Sequence, residues 1–431
     1  MSGNIKVEVV ERKCIKPWSG RHGQVESFKL SLLDQLSPNI HGNMTLFYPH
    51  NPTTHFSIKL QLLQNSLSKA LTIFYPFAGR LQHPSTIHCN DQGAIFIHSR
   101  TDTSLSDILN APNFDNFEPF LPTTDNQTMA DPNPPMLLVR FTSFGCGATA
   151  ITISLSHKIA DMASVIAFLK TWTAVCGGAT APAAPELAIG ATLFPPREIP
   201  GVSASVKTSS SEKFTTRRFV FEASKVIELK NRVKSAFEGS VFEPSRVEVV
   251  LALIWKCALL AYWSRTASFK RSVLFQAVNL RPRMEPAIPE SAVGNFVWAF
   301  AVTVEEEGDV ELHVLVKKMR EGMRKFEERL KEEGGFISVV KEGVSSNSNS
   351  SVVYKCSSWC KFPVLDADFG WGKPVWMCSV NNLVSNTIAL LDTKDGGGVE
   401  AFVTLDHYDI TLFQQHQELL HYALLNPALV L

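Results

Sequence analysis

A chain of 431 residues exceeds what one hydrophobic core ordinarily organises, so two or three domains are expected. Hydrophobic residues make up 45% and charged residues 19%, which excludes an intrinsically disordered chain. Forty-one basic residues balance forty-one acidic ones, so no net field draws in nucleic acid or an anionic membrane, and a polyanionic substrate would need a local cluster of cations.

Residues 1–16 mix Val and Glu with lysines and hold no continuous apolar stretch, so no secretory signal is expected there. Apolar residues at helical spacing over 56–78 (Leu60, Leu63, Leu67, Leu71) predict a helix that stops at Tyr75-Pro76. Residues 136–142 and 148–156 read as two strands around the turn Gly145-Cys146-Gly147. A helix follows over 162–175, with Met162, Val165, Ile166, Leu169 and Trp172 on one face. The stretch 177–200 is rich in Gly, Ala and Pro without periodicity, as an interdomain crossover would be, and 207–213 reads as an exposed loop in the same connection. A strand restarts at 217–221, a helix follows from Ser224, and another begins at Ser245, where Ser245-Arg246-Val247-Glu248 fits a capping box. The longest apolar run, 249–263, is broken by Lys256 and falls short of the roughly 20 residues a bilayer requires, so a buried helix is expected. Leu312, Leu315, Met319, Met323, Phe326 and Leu330 mark a long amphipathic helix, and 343–351 is a low-complexity loop. The domains expected are 1–180 and 216–431, joined by a linker at 181–215.

Several motifs are set aside on physical grounds. Gly145 to Ala150 matches the loose G-x-G-x-x-A of a dinucleotide site, but a strand follows where that site needs a helix N-terminus. Asp368-Phe369-Gly370 stands without any other kinase element, and neither Gly-x-Ser-x-Gly nor His-Glu-x-x-His occurs. Eight scattered cysteines read as free thiols in a reducing cytoplasm, and Cys356 with Cys360 lacks the second ligand pair of a zinc site, so no metal is expected.

One short segment carries chemistry. His157-Lys158-Ile159-Ala160-Asp161 lies between the alternating strand and the helix at Met162. Continued strand parity would place His157 on the face of Ile151, Ile153 and Leu155, the buried side, where an imidazole can stay neutral as a base must. Asp161 can orient the ring or brace the turn. The competing readings are a core histidine and a plain N-cap aspartate.

His157 to Asp161 (H-x-x-x-D), paired with Asp368-Phe369-Gly370-Trp371-Gly372 (D-F-G-W-G) about two hundred residues later, resembles the plant BAHD acyltransferase family. Leu30 to Gln35, Tyr75 to Leu81, Val278 to Arg283 and Gly294-Asn295 are similar to the same family, from near residue 30 to the C-terminus. Ser245 to Glu248 and Leu391 to Lys394 resemble its branch of alkaloid and terpenoid acetyltransferases, whereas Met162 stands where many members have Gly.

The resemblance implies an α/β (mixed α+β) chain of two similar-sized domains like chloramphenicol acetyltransferase, with a channel between them, working as a cytoplasmic monomer. It implies acyl-CoA, with acetyl-CoA the expected donor, as co-substrate and no permanent cofactor. The acceptor is a small-molecule alcohol, with an amine as the alternative and a non-catalytic binding protein as the competing class. His157 carries over as general base and Asp161 as a structural residue. Asp368 carries over as the partner of Arg281 in a salt bridge, with Gly370, Trp371 and Gly372 in a supporting loop. For the CoA phosphates the candidates are Ser245 and Arg246 at a helix start, or Arg217 and Arg218, against the reading that Ser245 only caps and the arginines are solvated. Phe296 and Trp298, with Asn381 and Asn386, are the candidates for the acceptor pocket, against core packing for the aromatics.

Overall fold

Strand-forming runs are distributed so that each half of the chain builds its own sheet. The computed structural model describes residues 5–18, 26–122, 133–179, 184–197, 214–237, 242–332, 334–339, 351–379 and 384–429. The strands in chain order are β1 (Glu8–Ile15), β2 (Ser27–Lys29), β3 (His41–Tyr48), β4 (Arg80–His83), β5 (Thr86–His88), β6 (Ala94–Thr101), β7 (Leu137–Phe144) and β8 (Thr149–Ser156). They continue as β9 (Phe214–Phe221), β10 (Ser272–Asn279), β11 (Val297–Val304), β12 (Val352–Ser358), β13 (Trp376–Cys378), β14 (Thr387–Asp392), β15 (Val399–Asp406) and β16 (Leu424–Leu425). The first sheet has the order β1-β6-β7-β8-β3-β13 and the second β11-β10-β12-β14-β15-β9-β16, while β2, β5 and β4 form a small ribbon. Both large sheets mix parallel pairs (β6 with β7; β12 with β10 and β14) and antiparallel ones.

The helices are α1 (Leu32–Leu36), α2 (Phe56–Ile73), α3 (Leu105–Asn110), α4 (Met162–Cys176), α5 (Ile189–Leu193), α6 (Ala223–Ser235), α7 (Arg246–Thr266), α8 (Leu312–Leu330), α9 (His407–Phe413) and α10 (Gln417–Tyr422). Helices α2 and α4 pack together in the first core, where the Trp172 indole N–H donates to Ser66 Oγ at 3.0 Å. The apolar side of β8 meets this core, yet its Thr and Ser side is buried as well. A strand crossing the middle of a covered sheet has no solvent face, and Thr45 and Thr152 hydrogen-bond each other there at 2.9 Å. Helix α7 starts at the expected Ser245–Glu248 capping box. By length and composition alone it could cross a membrane, but its side chains from Val249 to Leu259 are the centre of the second core. Most of 181–215, the 343–350 loop and Asn381 lie outside the described residues.

The chain does not divide cleanly at the crossover. Strand β13, from the second half, pairs with β3 and completes the first sheet. The Asp368–Gly372 segment precedes it, with Phe369 and Trp371 buried in the first core and the Tyr48 hydroxyl donating to Ala367 O at 2.9 Å. Trp376 stacks on Phe47 and donates its indole N–H to Glu400 at 2.9 Å, and Glu400 in turn holds Arg218.

The second sheet therefore has two unlike faces. One packs on α6, α7 and α8 through Leu274, Phe300, Tyr354, Leu390 and Val403. The other turns toward the first half, where Phe402 meets Phe114 and where Ala389 and Leu391 join the first core. On β10, β11 and β12 that same face stays only partly covered, at Phe275, Ala277, Asn279, Val297, Ala299 and Ser357.

Candidate active site

Strand β8 ends at Ser156 and α4 begins after Asp161, so the intervening turn is anchored at both ends. His157 N–H donates to Ile40 O at 2.8 Å, and its side chain is half-buried. Its Nδ1 lies 3.0 Å from Asn295 Oδ1. Asn295 is buried, and its Nδ2 donates to Asp34 Oδ1 and to His157 O, both at 2.8 Å. Two acceptors thus claim the amide nitrogen, which leaves the amide oxygen facing the ring. An oxygen there can only accept, so Nδ1 carries the proton and Nε2 presents its lone pair. Among the described residues nothing hydrogen-bonds Nε2. An imidazole held in this tautomer is set to take a proton from a neighbouring hydroxyl.

Asp34 organises this arrangement from the first half of the chain. Its Oδ2 accepts from Ser31 N at 2.9 Å and from Ser31 Oγ at 2.7 Å, which closes the capping box of α1. Its Oδ1 accepts from the Asn295 backbone N–H at 2.7 Å as well as from the Asn295 amide. Burial pushes the Asp34 pKa up, against the opposing hydrogen bonds from Ser31 and Asn295. Lys158, also buried, reaches the carbonyl oxygen of Gln35 at 2.8 Å at the end of α1, and burial lowers its pKa to about 8. Gly294, just before Asn295, has φ +141, and a Cβ there would point at the Asp34 carboxylate.

Asp161 makes no hydrogen bond to His157, whose Nδ1 faces Asn295 instead. Its Oδ1 caps α4 through Ser164 N at 2.9 Å, and the carboxylate receives a bidentate Arg281 at 2.6 and 3.0 Å. Phe296 N–H adds a further bond at 3.0 Å. Arg281 is buried, donates to Ala292 O and lies over the Phe296 ring at 4.8 Å. This pair joins the His157 turn to the second half of the chain.

The structure therefore corrects the pairing expected for Asp368: Arg281 bonds Asp161 instead. Asp368 Oδ1 accepts from the backbone N–H groups of Gly370 and Gly372, at 2.8 and 2.9 Å, and folds its own loop. Both glycines have strongly positive φ, a conformation that side chains disfavour. Trp371, buried against Phe369, completes that loop.

The candidates for CoA phosphates are committed elsewhere. Arg218 is buried, paired with Glu400 at 2.8 and 3.1 Å, and bonded to Pro427 O, so all three of its nitrogens are engaged. Arg246 binds Asp392 and the carbonyls of Gly396 and Gly398, and Arg217 meets Asp115 and Gln414. Ser245 is exposed, and its hydroxyl caps α7. The acceptor-pocket reading of Phe296 is corrected, since the ring is sealed in the second core, and Trp298 shares the core-facing side of β11 with Phe300. Asn386 adopts φ +53 and accepts Lys355 N–H at its carbonyl. Asn295 and Asp34 entered the sequence reading only within the family-like stretches Gly294-Asn295 and Leu30 to Gln35, and Lys158 only as a neighbour of His157, none with a role of its own. A further local signal was the Ser31–Asp34 spacing of a capping box.

A two-sheet fold sets at the seam of its halves a histidine whose Nε2 is left free to accept a proton. Residues 5–420 match the model of the Transferase family. Akuammiline synthase 1 of Alstonia scholaris is 36% identical over 97% of this chain and 98% of its own length, and limonoid 7-O-acetyltransferase of Citrus sinensis is 33% identical over 97% and 98%. The crystal structure of vinorine synthase superposes with a TM-score of 0.86 at 31% identity, covering 97% of this chain and 98% of that one. The chain belongs to this family, the BAHD acyltransferases, and is an acyl-CoA-dependent acyltransferase.

Proposed function

We propose that the protein transfers an acetyl group from acetyl-CoA to a hydroxyl of an alkaloid or terpenoid, directly, within a ternary complex. The carrying observation is the orientation of His157: Asn295 holds the proton on Nδ1 and leaves Nε2 free to act as base. Nε2 takes the acceptor proton as the oxygen attacks the thioester carbonyl. Collapse of the tetrahedral intermediate breaks the C–S bond, and the proton passes from the imidazolium to the CoA thiolate. A thioester is already activated, so no covalent enzyme intermediate is required. General-base assistance of this kind is worth roughly 10²–10⁴-fold, with more from holding both substrates together. The names of the similar proteins, akuammiline synthase 1 and limonoid 7-O-acetyltransferase, support the substrate class.

The test is His157→Ala, assayed by release of CoA thiol and by mass shift of a plant metabolite extract. Transfer is expected to fall at least a hundredfold, while calorimetric binding of CoA and the melting temperature stay near those of the parent. An unimpaired variant removes His157 from the chemistry. The reading includes a monomer acting in the cytoplasm, which light scattering and cell fractionation test.

A further inference from the structure

The half-open face of the second sheet ends beside the site. Asn279 on β10 pairs with Val297 on β11, two residues beyond Asn295, and Asn279 Oδ1 accepts from the Arg281 backbone N–H. From this end Asn279, Ala277 and Phe275 run along one face of β10, with Val297, Ala299 and Ala301 beside them on β11 and Val353, Lys355 and Ser357 on β12. All are half-buried or exposed, whereas the face's continuation on β14 and β15, at Leu391 and Phe402, is sealed against the first half.

This floor is mostly apolar, with Asn279 and Ser357 as neutral polar groups and Lys355 as the one charge among the residues named. Lys355 pairs in register with Phe275 and Thr387, so its side chain shares their face. It is exposed to solvent, and its ammonium makes no hydrogen bond or ion pair among the described residues. Burial of part of its stem nonetheless lowers its pKa. Phe275 lies four residues from Asn279, roughly 13 Å along the strand. A ligand on this floor with its hydroxyl at the His157 end would carry its far end to Lys355.

We propose that this floor receives the acceptor and that Lys355 selects acceptors bearing a carboxylate at the end remote from the reacting hydroxyl. The inference rests on the acyl-transfer reading and narrows its substrate class. An apolar floor with one point charge fits an amphiphilic hydroxy acid. It does not fit the several negative charges of CoA, which would require several cations. It also disfavours a protonated amine, so among alkaloid and terpenoid acceptors it points to a terpenoid acid.

The experiment gives the protein acetyl-CoA with ω-hydroxydecanoate, its methyl ester, or the matching ω-hydroxyalkylamine. It compares the parent with Lys355→Gln and Lys355→Glu, after melting curves confirm that each is folded. The parent is expected to favour the acid over the ester by about tenfold in kcat/KM, a charge-assisted contact's worth. Lys355→Gln should bring the acid-to-ester ratio to about one, and Lys355→Glu should invert it and favour the amine. An acid-to-ester ratio that is the same in all three proteins overturns the inference. So does a substitution that raises only the KM of acetyl-CoA, which would assign the ammonium to the donor's phosphates. Thiol release with a plant extract but with none of the probes also overturns it while leaving the transfer reading intact. No thiol release by the parent with any probe or extract is the separate signature that the transfer reading has failed.

Discussion

Asn295 decides what His157 can do, because a single amide reads out the positions of two acceptors and presents its oxygen to the ring. Asn295→Ala frees the imidazole to rotate and exchange tautomers. It is expected to lower kcat by roughly 10–100-fold, the usual effect of removing an outer partner of a functional histidine, with little change in the KM of acetyl-CoA. Steady-state kinetics separates the two. Lys158 offers a test in pH. Its pKa falls from 10.5 unfolded to about 8 folded because burial disfavours its charge. Below about pH 8 both states hold the proton and the folded chain bears the full cost. Between about 8 and 10.5 the unfolded chain binds the extra proton, so stability rises with pH, by at most about 3 kcal/mol. Lys158→Met lacks this gain, and melting curves should show the parent improving relative to the variant as pH climbs through that window. His157 and Asp161 were legible at this scale because a strand, a turn and a helix start in succession single them out. Asn295 was visible only as part of a family-like dipeptide and its role was not, since its partner lies 138 residues away.

Among elements, α4 depends on Asp161 for its first turn and for its attachment to the second half. Removing the carboxylate both uncaps the helix and strands a buried guanidinium. Asp161→Ala should therefore cost on the order of 3–5 kcal/mol in urea unfolding. Adding Arg281→Ala should recover part of that loss, because the double variant no longer buries an unpaired charge. Simple additivity of the two substitutions would mean that they do not act as one unit. The long helices were readable from spacing, as the matches at α2 (Phe56–Ile73), α4 (Met162–Cys176) and α8 (Leu312–Leu330) show, whereas β1, β3, β6, β10 and β12 to β15 were not read. The function of the Asp368 loop was readable only as resemblance. Its pairing came out differently because Asp368 satisfies its carboxylate within the loop, leaving Arg281 to Asp161.

Across the whole molecule, the two halves are joined by interior contacts as well as by the crossover. Glu400, on β15, holds Arg218 and the Trp376 indole at once, and Trp376 belongs to the strand that completes the other sheet. Glu400→Gln keeps the shape but leaves Arg218 buried without a counter-charge. A loss on the order of 3 kcal/mol is expected, read from the urea midpoint by tryptophan fluorescence. A midpoint unchanged from the parent would assign the joint to apolar packing alone.

Local pattern determined the positions of the long helices and of the β7–β8 hairpin and singled out His157 as a candidate, because hydrophobic periodicity and capping act within a few residues, while the fold class was read from resemblance. Tertiary structure alone decided which acceptors orient Asn295, which acid pairs with Arg281, how β13 crosses to the other sheet, and which half of a sheet face stays open. These contacts join residues more than a hundred positions apart. Their energies depend on burial and geometry that exist only once the chain has closed on itself.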